Sequence, residues 1–489
     1  MIHLVKPTEE HAYELVVGLE VHAQLTTRSK AFSSDPTEYG AAPNTQVSPI
    51  TLGHPGTLPL LNHQVVEDAI RLGLALNCHI RERNEFARKN YFYADLPKGY
   101  QITQHTTPIA TEGFMDLKQA DGQVFRLRIT RVHMEEDAGK SMHDQDAFDS
   151  LIDLNRCGVP LLEIVTEPDI RSAAQAGQYL TELRRLLRYL DICDGNMEEG
   201  SMRCDANISV RKKGSAQFGT KVEVKNMNSI RHVQKAIEHE YERQIALLER
   251  GEVINSETRS FDAGRGNTFA LRSKEQANDY RYFPEPDLQP VMVTKEWKSA
   301  VRAAMPPLPA ELLYDFTTRC GLSEYDAGVL TETKEIALYY NDAIGHTKHF
   351  KAVANWVMGP VKSWINANAL SMKDFPISAN SLARLCELVE EGGISHTAAV
   401  QKLFPALLNE PEEDPSELAN RMGLQQVQDT SELTRLAQEV FMAWPEKVAA
   451  YRSGKKGMIG LFMGELMKKS GGKADPKLAT KLLEELLEG

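Results

Sequence analysis

The chain has 489 residues, 42% hydrophobic and 25% charged, with a formal net charge of −12. That length exceeds one simple core and predicts two or three domains of ordinary globular composition. The acidic balance excludes nucleic-acid wrapping by bulk electrostatics, so an RNA contact would need a local basic patch.

No apolar run reaches the roughly 18 residues a spanning helix needs. The opening residues MIHLVKPTEEHAYEL lack the basic-then-apolar order of a signal peptide. The six cysteines are scattered, with no C-x-x-C pair. These features predict a cytoplasmic protein with reduced thiols and no membrane partner.

ELVVGLEVHAQL alternates, with Leu15, Val17, Leu19, Val21 and Ala23 on one side and Glu20, His22 and Gln24 on the other. Glu20 and His22 leave that polar face roughly 6–7 Å apart, a spacing suited to two ligands of one cation. A solvated edge strand accounts for the same pair. EFARKNYFYADLPKGYQITQ (85–104) interleaves Arg88, Lys89 and Lys98 with Tyr91, Phe92, Tyr93 and Tyr100. Such a mixture suits a nucleotide or an RNA 3′ end, because every base can stack on a ring. A surface loop with core tyrosines is the plainer alternative.

QVFRLRITRVHM alternates again and runs into His133, Glu135, Glu136 and Asp137. Three adjacent carboxylates repel unless a cation or base lies nearby, although a charged strand end in water is a common case. PLLEIVTEPD sets Glu163 inside an apolar run, where a carboxylate must be paired or metal-bound. Ser172 is placed to cap a helix with the stripe Ala176, Leu180, Leu183, Leu187 and Leu190.

RCDANISVR and TKVEVKN read as a hairpin with a Gly-containing connection. Its apolar face is Cys204, Ala206, Ile208, Val210, Val222 and Val224; its polar face is Arg203, Asp205, Asn207, Lys221, Glu223 and Lys225. That polar face is either an ion-pair lattice or a ligand surface, with Asn207 orienting a ligand and Lys225 meeting phosphate as a point charge. Asn228 or Ser229 caps a further helix that stops at Gly251.

Proline-rich stretches at 281–291 and 305–312 mark a boundary near 294, beyond which the strand signal fades. The expected fold is α+β: a mainly antiparallel N-terminal sheet with flanking helices, forming a cradle-like catalytic domain over 1–294. A helical domain over 295–410 and a helical tail over 411–489 follow. Residues 451–482 carry eight Lys/Arg against two acids, reversing the sign of the whole chain.

There is no G-x-x-x-x-G-K-[ST] loop, no G-x-G-x-x-G after a strand, no G-x-S-x-G elbow and no Ser-Ser-Lys amidase signature. If the protein uses ATP, the site is not a standard one, and if it uses glutamine, the glutaminase is on another chain.

Six motifs stand in order: GLEVHAQL, RKNYFYADLPKGYQITQ, RVHMEEDAGK, DLNRCGVPLLEIVTEPDIRS, MEEGSMRCDANISVR and KVEVKNMNSIRHV. Together they closely resemble the B-subunit family of bacterial aspartyl/glutamyl-tRNA amidotransferases, from about Val16 to the C-terminus. The segment GKKGMIGLFMGELMKKSGGKADP resembles that family's tRNA-contacting tail. Ala94 stands where the family usually has Pro. The chain has no room for the inserted domain of the archaeal relative.

The resemblance implies ATP-dependent phosphorylation of the side-chain carboxylate of Glu-tRNA(Gln) or Asp-tRNA(Asn), with Mg²⁺ or Mn²⁺, followed by amidation. It implies three partners: an amidase subunit that releases ammonia from glutamine, a small third subunit, and the misacylated tRNA. It places metal ligands at Glu20, His22, Glu136 and Glu163, with Glu135 as a neighbour. Lys89, Arg203 and Lys225 would meet phosphate oxygens, and Asp205 and Asn207 would orient metal or nucleotide. Glu20, Lys89, Asp205, Asn207 and Lys225 form the implied catalytic set.

Two rival readings are a non-catalytic tRNA-delivery scaffold and a free-standing amide ligase for a small acid. The scaffold needs no acidic cluster, and the ligase needs no basic tail.

Overall fold

Tyr13–Gln24, continuously buried over Leu15–Leu19 and alternating from Glu20 onward, is the strand around which the first unit is built. The computed structural model describes residues 12–488 apart from 120, 144, 147, 274–279, 427–429 and 472–473, so Lys473 of the basic tail lies outside it. The chain divides into two compact units, Met1–Leu308 and Pro309–Gly489.

In chain order the strands are β1 (Tyr13–Gln24), β2 (His79–Ile80), β3 (Arg83–Asn84), β4 (Ala87–Asn90), β5 (Tyr100–Thr103), β6 (Ala110–Lys118), β7 (Val124–Glu136) and β8 (Lys140–Met142). There follow β9 (Leu151–Asp153), β10 (Pro160–Thr166), β11 (Met202–Lys212), β12 (Val222–Met227), β13 (Glu257–Asp262), β14 (Asn267–Ser273), β15 (Arg281–Pro284) and β16 (Val291–Met292). The described residues form a twelve-stranded sheet in the order β14-β13-β12-β11-β1-β10-β7-β5-β4-β15, with β6 beside β7 and β2 beside β6. Of its pairings, β12–β13 is parallel and the others are antiparallel. This is the expected α+β class.

The apolar face of the sheet carries Leu19, Val21, Ile164, Ala206 and Ile208, all fully buried. Burying one large aliphatic side chain of this kind contributes about 1.5–3 kcal/mol. The helices α1 (His63–Ala75), α2 (Ala173–Tyr189) and α3 (Ile230–Glu249) contribute to the same core. Ser172 Oγ accepts the Gln175 N–H at 3.2 Å, and Ser229 Oγ accepts the His232 N–H at 3.1 Å. Gly251, at φ +73°, follows the cap of α3 in the left-handed conformation that closes a helix. After β16, α4 (Lys295–Ala303) still packs on this unit: Val301 is in the core and Trp297 Nε1 donates to Glu67 on α1 at 3.1 Å.

The hairpin β11–β12 departs from plain alternation at one point. Ala206 pairs with Val224 and Cys204 with Met227, so β12 carries one extra residue. Asn226 absorbs it at φ +62°, and its side chain donates to Ser260 Oγ at 2.8 Å. The bulge turns Met227 into the core while Lys225 keeps the polar face.

The second unit is helical. Its last helices, Thr430–Ala443, Pro445–Arg452, Ile459–Lys469 and Pro476–Glu488, share a core of their own built on Leu433, Ala437, Val440, Phe462, Leu466 and Leu483. No helix among the described residues is long and apolar enough to cross a membrane.

Candidate functional site

Strand register decides which polar side chains meet. On β1, His22 lies opposite Glu163 of β10 and Arg203 of β11, and Glu163 lies opposite His133 of β7. Four strands thus contribute one cross-strand row, Arg203–His22–Glu163–His133, on the face away from the helical core. Glu135 is two residues beyond His133 and so shares its face.

His22 Nε2 stands 3.4 Å from Glu163 Oε2 and 3.5 Å from Glu135 Oε1. His133 Nε2 stands 3.3 Å from Glu163 Oε2 and 3.8 Å from Glu135 Oε2. Burial opposes charge on His133, but Glu163 and Glu135 outweigh it and push its pKa up to about 9. Burial likewise opposes charge on His22, and the same two acids raise it. Burial raises the Glu163 carboxyl, and the two imidazoles overcome that to hold it well below the usual range. His133 Nδ1 is buried with no hydrogen-bond partner among the described residues.

A second acidic group begins two residues earlier on β1. Glu20 lies opposite Asp205, and Glu223 of β12 lies opposite Asn207. One carboxylate oxygen from each of Glu20, Asp205 and Glu223 falls within 4.8 Å of the other two. Asn207 Nδ2 donates to Glu20 Oε1 at 2.8 Å, while its Oδ1 is buried with no partner among the described residues. Lys225 bridges Asp205 and Glu223, the latter at 3.1 Å. Burial works against that ammonium, but the two acids raise its pKa.

One ligand atom from each of His22, Glu135 and Glu163 also lies within 4.8 Å of the others. Two carboxylates and an imidazole fit a divalent cation, the imidazole favouring Mn²⁺ over Mg²⁺ and the carboxylates accepting either. The all-oxygen group at Glu20, Asp205 and Glu223 suits a hard cation, with the free Asn207 oxygen as a further donor.

Cations border both groups. Arg203 is gripped by the buried Asp137 and lines a cavity of about 1370 Å³ with His22, Gln24, Arg156, Asp205 and Lys225. Glu135 and Glu163 are not among its lining residues, so the cavity opens beside the row on the Arg203 side.

The structure brings together His22, Glu135 and Glu163, and next to them Glu20, Asp205, Asn207 and Lys225. Glu136 does not join them. As the neighbour of Glu135 it leaves the opposite face, where it is ion-paired with Lys98 and accepts the Ile102 N–H at 2.9 Å. The sequence leaves open which of Glu135 and Glu136 meets the metal; strand alternation puts Glu135 beside His22 and turns Glu136 toward Lys98. Lys89 stands apart on β4, its Nζ 4.7 Å from the Tyr280 ring centre and 5.7 Å from that of Tyr91, with no carboxylate partner among the described residues.

His133 and Glu223 complete the two groups without a role expected from sequence, although strand alternation alone puts His133 on the face of Glu135 and Glu223 on that of Lys225.

Two family models match the chain. One, described as the GatB/GatE catalytic domain, covers residues 15–299, and another, described as the GatB domain, covers residues 338–487. Curated proteins named as the B subunit of aspartyl/glutamyl-tRNA(Asn/Gln) amidotransferase are similar over almost the whole length. That of Halorhodospira halophila is 48% identical over 98% of this chain and 99% of its own. Those of Gloeothece citriformis and Thermosynechococcus vestitus are each 48% identical over 97% of this chain, covering 98% and 96% of theirs.

Proposed function

The chain belongs to the B-subunit family of the aspartyl/glutamyl-tRNA(Asn/Gln) amidotransferases, and from that premise we propose that it carries out the activation and amidation steps on misacylated tRNA. The substrates would be Glu-tRNA(Gln) or Asp-tRNA(Asn), and the products Gln-tRNA(Gln) or Asn-tRNA(Asn). ATP is the co-substrate. An amidase subunit supplies ammonia from glutamine, and a small third subunit makes up a cytoplasmic heterotrimer.

The chemistry answers a specific difficulty. A carboxylate resists ammonia because oxide is a poor leaving group. The side-chain carboxylate oxygen therefore attacks the γ-phosphorus of ATP, the bond to the bridging oxygen breaks, and ADP departs. Ammonia's nitrogen then attacks the acyl carbon, and phosphate leaves as the amide forms and a proton is lost. Phosphoryl transfer needs alignment and charge neutralisation more than covalent help from the protein.

One observation carries this reading: two acidic groups drawn from five strands stand side by side, bordered by Arg203 and Lys225. His22, Glu135 and Glu163 would hold a divalent ion, with Glu20, Asp205 and Glu223 as a second set. Such an ion, Mg²⁺ or Mn²⁺, supplies charge neutralisation at the transferring phosphoryl group when bound. Arg203 and Lys225 balance the remaining phosphate charge. Asn207, fixed through Glu20, offers its free oxygen to ligand or ion. Lys89, without a carboxylate partner among the described residues, is a further cation for phosphate, in an aromatic setting suited to the tRNA 3′ end.

The test is Glu163→Gln in the complete complex. Amide formation on misacylated tRNA should be lost with either glutamine or ammonium chloride as nitrogen donor, while glutamine hydrolysis by the partner persists. Wild-type amidation by this variant would reject the assignment.

A further inference from the structure

Asp137 is buried at the site, yet the reaction as described leaves it without a task. Its backbone is fixed first: its N–H donates to Val159 O at 2.8 Å and its carbonyl accepts the Gly158 N–H at 2.9 Å. Its side chain is 6% exposed, so its partners are set by the protein and not by water. Its two oxygens accept Arg203 Nη1 and Nη2 at 2.9 and 3.0 Å, a two-point grip that fixes the plane of the guanidinium. Gln24 Nε2 donates to Oδ2 at 2.6 Å, and Arg156 Nε approaches the same oxygen at 3.3 Å.

Arg156 is only ion-paired with Asp137, its guanidinium N–H groups being donated to the carbonyls of Ala138 and Gly139 at 3.1 Å each. Arg203 differs. Asp137 takes one N–H from each terminal nitrogen, and the other three N–H groups have no acceptor among the described residues. Arg203 lines the cavity, opposite His22 on the neighbouring strand.

We propose that Asp137, steadied by Gln24, is a positioning residue that clamps Arg203 so that its unused N–H groups face the phosphate chain of the nucleotide. This rests on the reading of the site given above and adds the residue that sets the arginine's direction. A long side chain on a strand samples many rotamers; the clamp removes that freedom before the ligand arrives.

The experiment is steady-state amidation of misacylated tRNA by the complete complex at varied ATP. Asp137→Asn should raise the KM for ATP by about 10–100-fold, as loss of a partner behind a functional group typically does, with kcat much less affected. Arg203→Ala should raise it comparably, and Asp137→Asn combined with Arg203→Ala should be no worse than Arg203→Ala alone. Asp137→Glu, which keeps the charge, should recover part of the loss.

A KM for ATP in Asp137→Asn within about twofold of wild type, with Arg203→Ala impaired, overturns the clamp and leaves the site assignment standing. An unchanged KM in Arg203→Ala overturns both the clamp and the phosphate role of the arginine. If Asp137→Asn does not fold, Arg203→Lys carries the test, since lysine keeps the charge but cannot take both oxygens of Asp137. A KM raised as in Arg203→Ala supports the clamp; a wild-type KM overturns it.

Discussion

In metal-free protein His133 should titrate far above an ordinary histidine, and Glu163 should be a main reason. The imidazole is 4% exposed and its Nε2 lies 3.3 Å from Glu163 and 3.8 Å from Glu135. Burial alone would depress its pKa, and the two acids overcome that and push it up to about 9. From an ordinary value near 6.5 this is about 2.5 units, or about 3 kcal/mol at 1.36 kcal/mol per unit. Because the folded-state value is raised, this stabilisation is fully present below pH 6.5 and is lost as pH rises through about 9. The assay is a proton–carbon NMR titration of histidine-labelled, chelator-treated protein, with His133→Gln to assign the resonance. Glu163→Gln should bring His133 down by at least one unit. A wild-type His133 titrating at or below 6.5, or one indifferent to Glu163→Gln, would refute the geometry of the row.

Three further outcomes follow from other parts of the first unit. Burial pushes Asp68 on α1 up to about 6, above its ordinary 3.8, so its ionisation costs stability as pH rises from about 4 to 6. Asp68→Asn should flatten that slope in urea melts of the first unit and add up to about 3 kcal/mol at pH 8, less what Arg71 loses. Lys98→Met leaves Glu136 buried without its cation and should destabilise by about 3–5 kcal/mol, whereas adding Glu136→Gln should recover much of the loss in the same melts. Asn226→Ala leaves φ +62° to a residue without the amide that helps Asn tolerate it and removes the bond to Ser260, costing about 1–3 kcal/mol, with Asn226→Gly milder; equal melting temperatures for the three proteins would contradict the bulge.

The strands and helices were legible because their periods are local. Alternation around Glu20 and His22 predicts a two-faced strand, and the Ser172 and Ser229 caps with Gly251 bracket two helices. What alternation cannot supply is the rung. His22, Glu163 and His133 meet because β1, β10 and β7 pair in one register, and those strands are far apart in the chain. Glu135 and Glu136 show the same limit at close range: adjacent residues must leave opposite faces, but only the register of β7 against β10 says which one looks at His22. The Asn226 bulge was illegible for a different reason. It breaks the period, so Met227 reads as polar-facing by count and is buried in fact.

The most direct measurement is the anomalous diffraction of manganese in crystals of the complex grown with Mn²⁺ and a non-hydrolysable ATP analogue. Manganese should appear between His22, Glu135 and Glu163, with the analogue's phosphates beside Arg203 and Lys225, and the peak should vanish in Glu163→Gln. A nucleotide bound with its metal elsewhere, leaving those three side chains without an ion, would contradict the account.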